Sequence, residues 1–180
     1  MKWNQWTSAM IEALAGTKDA DSFTPHDVVV RALHQARSNA ARLFFIGNGG
    51  SAAIASHFAN DFSNAAGIAS MCFNDGASLT CIGNDHGYAD VFRRPLEMHA
   101  HPNDILFAIS SSGQSESILR AAKSAVARGL YVVTLSGFDP QNPLRKLGDV
   151  NFYTPSRVYG HVEAAHFCVL HSLLDDLCEV

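Results

Sequence analysis

DILFAISSSGQSESILRAAKSAVARGLYVVTLSG, residues 104–137, decides the fold. An apolar run at 104–110 meets a serine-rich turn. A helical stretch follows at 116–129, ended by Gly129, and a second apolar run at 130–137. The two apolar runs are near-continuous rather than alternating, as in strands buried on both faces. Strand, helix, strand is the repeating unit of a parallel sheet.

The same pattern extends outward. Strands are predicted at 43–47, 68–73 and 150–154, which makes five. Helices are predicted at 51–63, across most of 82–100, briefly around Leu144, and at 161–180. Ahead of the first strand, Trp3, Trp6, Met10 and Leu14 share a face of a helix over 3–15. After a polar break, Thr24-Pro25 reads as the N-cap and first-turn proline of a second helix. It runs to about Ala40 on a stripe of Val28, Val29, Ala32, Leu33 and Ala36. The expectation is an α/β three-layer sandwich, a five-stranded parallel sheet preceded by an N-terminal helical hairpin. One domain is expected over 1–180, with 1–40 as packing helices and 42–180 as sheet core and closing helix.

Bulk properties narrow the function. The 180 residues carry a net charge of −4 and no basic cluster, so no nucleic-acid footprint is present. Charged residues are only 17%, a hint of surface buried by self-association. No run approaches the roughly 20 apolar residues that span a membrane. The start, MKWNQWTSAMIEALAG, does not read as a signal peptide, and a cytoplasmic protein is expected. Cys72, Cys81, Cys168 and Cys178 form no CxxC pair and sit in apolar contexts, so reduced core thiols are expected.

In an open parallel sheet, ligands sit beyond the carboxyl ends of the strands. Two strand ends stand out. Gly47–Ser51, GNGGS, lets backbone approach a ligand and opens a helix whose free N–H groups attract anions. The serine-rich 110–117, SSSGQSES, offers hydroxyls and N–H groups at a second helix start, a neutral phosphate pocket without Lys or Arg. Neither is a Walker or dinucleotide motif. His57 and Asp61 share a helix face at i,i+4. Glu163 and His171 lie eight apart, about 80° round the closing helix, on one broad face with His166 nearby. Two helices each bearing a carboxylate and a histidine point to acid–base or metal chemistry.

GNGGSAAIASHFANDF, GASLTCIGNDHGYADVF, ILFAISSSGQSESILRAA and the final ExxxxxxxH helix together resemble the phosphoheptose isomerases, a subgroup of the sugar isomerase (SIS) domain family. The resemblance implies a Rossmann- or flavodoxin-like sheet and a homotetramer with sites at subunit interfaces. It also implies interconversion of sedoheptulose 7-phosphate and D-glycero-D-manno-heptose 7-phosphate on the way to lipopolysaccharide or related glycans. The phosphate pocket would fall on Ser110, Ser111, Ser112 and Ser115. Asn48, Gly49, Ser51, Asp75 and Glu163 would stand beside the substrate. Asp61 and His171 would be the acid–base pair. Zn²⁺ would be held by His57, Asp61, Glu163 and His171.

The chain also departs from the family pattern. Asp61 stands where a glutamate is usual, and Glu163 where a glutamine is usual. The polar run before it is rewritten as SRVYGHVE, 156–163. Two imidazoles and two carboxylates suit a divalent ion better than a glutamine-containing set. Two rival readings stay open: a non-catalytic SIS regulator that binds the replication initiator, and an isomerase of a different sugar phosphate.

Overall fold

The computed structural model describes residues 2–17 and 25–179. The elements run α1 (Trp3–Ala15), α2 (Pro25–Ser38), β1 (Leu43–Ile46), α3 (Gly50–Asn64), β2 (Ser70–Cys72), α4 (Gly76–His86), α5 (Arg93–His99), β3 (Ile105–Ser110), α6 (Glu116–Ala127), β4 (Tyr131–Ser136), β5 (Val150–Tyr153) and α7 (Tyr159–Cys178). Short 3-10 turns lie at Tyr88–Asp90 and Pro143–Lys146. All strand pairs are parallel, in the order β2-β1-β3-β4-β5. That order reverses direction between β1 and β3, which makes the carboxyl ends of these two strands the crevice where a ligand fits.

Period-two alternation sorts the core into two layers. Leu43 and Phe45 of β1 and Ile105, Phe107 and Ile109 of β3 face α2, α3 and α7, where they meet Leu33, Phe58, Phe62 and Leu170. Phe44, Ile46, Leu106 and Ala108 face the other way, against Ile118, Ala121 and Ala122 of α6 and Leu96 of α5. Phe45 stacks on Phe107 with ring centroids 4.8 Å apart. Burial of each such ring contributes roughly 1.5–3 kcal/mol. Gly129, at φ 76°, ends α6 in the left-handed region, as its sequence position suggested.

Three details add to or depart from expectation. The leading helices each find their main partner in α7. Trp6 packs edge-on against His161, 4.8 Å between rings, while Trp3 stays 74% exposed. Thr24, the expected cap, lies outside the described residues. Second, the helix after β2 begins at Gly76 rather than near 82, because Asp75 caps it by accepting from the Ser78 N–H at 2.9 Å. Third, the cysteines are free but not core: Cys81 and Cys168 are exposed, Cys72 and Cys178 half-buried. Cys81 lies on α4, no residue of which is buried. No helix among the described residues is long and apolar enough to cross a membrane.

Candidate active site

At the end of β1 the chain turns tightly into α3. A methyl group on Gly47 would strike the Ser51 carbonyl, and Gly49 adopts φ 56°, so both positions require glycine. Asn48, between them, is held on both sides. Its amide nitrogen donates to Ser117 Oγ at 3.1 Å, and Tyr88 donates its hydroxyl to Asn48 Oδ1 at 2.7 Å. Tyr88 was not legible as a site residue from its sequence position, and although Ser117 closes the serine-rich run, nothing in the sequence pointed to its contact with Asn48.

At the end of β3, Ser110 and Ser111 are both buried. Gly113 takes φ 63°, and a side chain there would collide with that of Asn142. Asn142 is itself 1% exposed and tied to Ser136 Oγ (3.0 Å) and the Asp139 carbonyl (2.8 Å). The Ser110 hydroxyl reaches Ser115 Oγ at 3.4 Å, and the Gln114 N–H donates to Ser112 Oγ at 3.2 Å. Ser111 Oγ, fully enclosed, has no hydrogen-bond partner among the described residues. A buried hydroxyl without a partner costs free energy, on the order of 1–3 kcal/mol, unless a ligand or water meets it.

Both turns open into one cavity of about 240 Å³. Asn48, Gly49 and Ser51 line one side, and Ser110, Ser111, Ser112 and Ser115 another. Tyr159 and Glu163, one turn apart on α7, complete the wall. A larger open groove, about 1010 Å³, lies between α2 and the amino ends of the strands. It is at the wrong end of the sheet for a ligand site. Its carboxylates are also committed: Asp104 accepts from the Arg42 and His101 N–H groups at 2.8 Å each, and Asp149 from the Val132 N–H at 2.7 Å.

The second constellation lies further along α3 and α7. His57 Nε2 is 3.0 Å from Asp61 Oδ2. The His57 and His171 rings are 5.4 Å apart, with Phe58 and Phe167 packed against both. Ligand atoms of His57, Asp61 and His171 all fall within 4.8 Å of one another, so this group could hold a metal ion. Two imidazoles and one carboxylate form a donor set that leaves a position open, as catalytic divalent sites do. Glu163 does not join this group: its carboxylate lies over Gly50, in the serine-lined cavity. Asp75 lines neither site and serves as the α4 cap.

His166 is fully buried between the two groups in sequence. Its Nε2 lies 3.2 Å from the Ser136 carbonyl. Burial lowers its pKa to about 4, opposed only in part by that hydrogen bond. It is a neutral strut that ties α7 to the end of β4, not an acid–base group.

A parallel sheet with an anion cradle at its switch point and a histidine–carboxylate cluster shared by two covering helices defines a ligand-binding α/β domain. Residues 6–137 match the SIS domain, and the chain belongs to that family. Within it the chain stands with the phosphoheptose isomerases. It is 40% identical to the phosphoheptose isomerase of Mycobacterium tuberculosis (strain ATCC 25177 / H37Ra) over 139 residues, 74% of this chain and 70% of that protein. It is 35% identical to that of Cytophaga hutchinsonii over 154 residues, 82% and 78% of the two chains. The phosphoheptose isomerase structure from Neisseria gonorrhoeae superposes with a TM-score of 0.89 at 27% identity, covering 98% of this chain and 97% of that one.

Proposed function

We propose that this chain is an aldose–ketose isomerase that interconverts sedoheptulose 7-phosphate and D-glycero-D-manno-heptose 7-phosphate. The observation that carries the reading is the pairing of a neutral serine cradle, with its unpartnered Ser111 hydroxyl, and a compact His57–Asp61–His171 cluster. Clustering of those three side chains is what a purely binding role would have no use for, and it favours the enzyme over the regulator.

The reaction moves a proton between C1 and C2 through an enediolate, and needs a base, an acid and a fixed substrate. Ser110, Ser111, Ser112 and Ser115, with the N–H groups that open α6, anchor the phosphate. Asn48, Gly49 and Ser51 border it from the α3 side. Binding energy at the phosphate orients the distant reacting carbons. Asp61 takes the proton and His171 acts as the second acid–base group. His57, beside Asp61, fixes the direction of that carboxylate. The same three residues suit Zn²⁺, which when bound supplies Lewis-acid polarisation of the substrate oxygens.

Exposed apolar residues on α1, Trp3 at 74% and Ile11 at 61%, support self-association, and a homotetramer with sites shared between subunits is the assembly the resemblance implies. Light scattering giving a monomer mass would refute that assembly. The function is tested by NMR-monitored turnover of sedoheptulose 7-phosphate with and without added Zn²⁺. Appearance of the aldoheptose phosphate is expected. A folded protein that leaves the ketose untouched under both conditions sinks the assignment.

A further inference from the structure

Two helix N-termini converge on the 240 Å³ cavity, those of α3 at Gly49–Ser51 and α6 at Ser115. They are not equivalent. The α6 end is lined by serine hydroxyls, one of them buried and unpartnered. The α3 end already faces an anion of the protein itself. A methyl group on Gly50 would collide with the Glu163 carboxylate, so that carboxylate lies directly against the first residue of α3. Gly49 provides no side-chain cap there, which leaves Glu163 as the group facing the helix dipole. No hydrogen bond engages the Glu163 oxygens among the described residues, and the His57–Asp61–His171 cluster forms without them.

We infer that Glu163 is a specificity-determining residue of the cavity, a resident negative charge that selects a polyhydroxylated phosphate ester over a bare anion. The inference rests on the sugar-phosphate reading above. A carboxylate is an acceptor only. An inorganic anion in the serine cradle offers it repulsion and little else. A sugar phosphate brings hydroxyl donors, and charge-assisted hydrogen bonds to the carboxylate offset the repulsion. Reading the position as an amide, as the resemblance would have it, loses this discrimination. A neutral side chain admits free phosphate and the ester alike.

The test compares wild type, Glu163→Gln and Glu163→Asp by titration calorimetry with two probes, inorganic phosphate and the alditol phosphate made by reducing sedoheptulose 7-phosphate, which keeps the hydroxyl donors and has no carbonyl to isomerise. Metal content is measured on the same samples. In Glu163→Gln, inorganic phosphate binds about fivefold tighter, as expected for removing a like charge across a solvated cavity. The alditol phosphate binds no tighter, so the ratio of the two dissociation constants shifts by about fivefold or more toward the bare anion. Glu163→Asp keeps the wild-type preference, and metal content is unchanged in both variants. Equal changes for both probes would overturn the inference, because a structural perturbation moves them together. Loss of metal in Glu163→Gln would overturn it as well, by returning Glu163 to the ligand set. Binding is read without turnover. An inactive wild type that still shows the ratio shift would therefore defeat the isomerase assignment and leave the charge selection standing.

Discussion

The loop at 110–117 and the run at 156–163 border the same cavity and are built by opposite rules. The first is enclosed: Ser110, Ser111 and Ser117 are each 5% exposed or less, and Gly113 is locked against Asn142. The second is open over 157–160 and closes again at His161 and Val162, both buried. Val158 is 38% and Tyr159 61% exposed. Tyr159 leans edge-on against Phe138, 4.8 Å between rings, and Phe138 itself sits at φ 60°. That conformation is strained for an aromatic residue, at about 1–2 kcal/mol. The difference follows from what each side reads. A phosphate is met by backbone N–H groups and short hydroxyls whose positions the fold dictates, so one substitution disrupts the whole turn. The rest of a sugar is met by side chains, which change without disturbing the backbone.

The strongest way to break this contrast is to disable the chemistry and ask whether the cradle notices. His171→Gln is expected to cut turnover by about 10³-fold while inorganic phosphate binds as in wild type. A matching loss of phosphate binding would mean the two groups are one unit. Next comes the strut beneath both regions. His166 is held neutral in the folded chain with its pKa near 4, below its ordinary value of 6.5. The unfolded chain therefore binds the extra proton between these values. The stability it contributes is intact above pH 6.5 and is lost as pH falls toward 4, on the order of 3 kcal/mol in all. Urea titrations across that range should show the slope, and His166→Gln should flatten it.

Smaller effects sharpen the comparison locally. Gly113→Ala forces a side chain into Asn142 at positive φ and should cost about 2 kcal/mol, with a raised KM. An unchanged midpoint in thermal melts would mean the cradle is softer than its packing implies. Phe138→Gly is the mirror case. Glycine accepts φ 60° freely, so the melting point should hold or rise by about 1 kcal/mol equivalent, despite the lost ring. A clear fall would mean that the Phe138–Tyr159 contact outweighs the strain.

Much of this was legible in the sequence, for identifiable reasons. The strands were visible because both faces are buried, so β1, β3 and β4 read as unbroken apolar runs. The serine loop was visible because its residue types are unusual between two structured flanks. Helical spacing paired His57 with Asp61 and placed His171 on a second helix, the resemblance joined the three, and the structure gathers them. Glu163 shared that spacing yet faces the cavity, because 80° of rotation over eight residues is enough to aim it elsewhere. Asn142, Ser117 and Tyr88 act across sequence separations of 29, 69 and 40 residues, and no periodicity encodes such contacts. The cysteines misled because an apolar neighbourhood in sequence says nothing about which way a lone helix such as α4 is turned.

Helix α7 runs unbroken for 20 residues from Tyr159 to Cys178. At 1.5 Å per residue it fixes the backbone positions of Glu163 and His171 about 12 Å apart, like marks on a steel rule. A substitution can repaint either mark, but it cannot slide one along the scale. A single inserted residue between them would swing His171 by about 100° and dismantle its cluster with His57 and Asp61. Insertions and deletions in relatives of this chain should therefore accumulate before Tyr159 and be absent between 163 and 171.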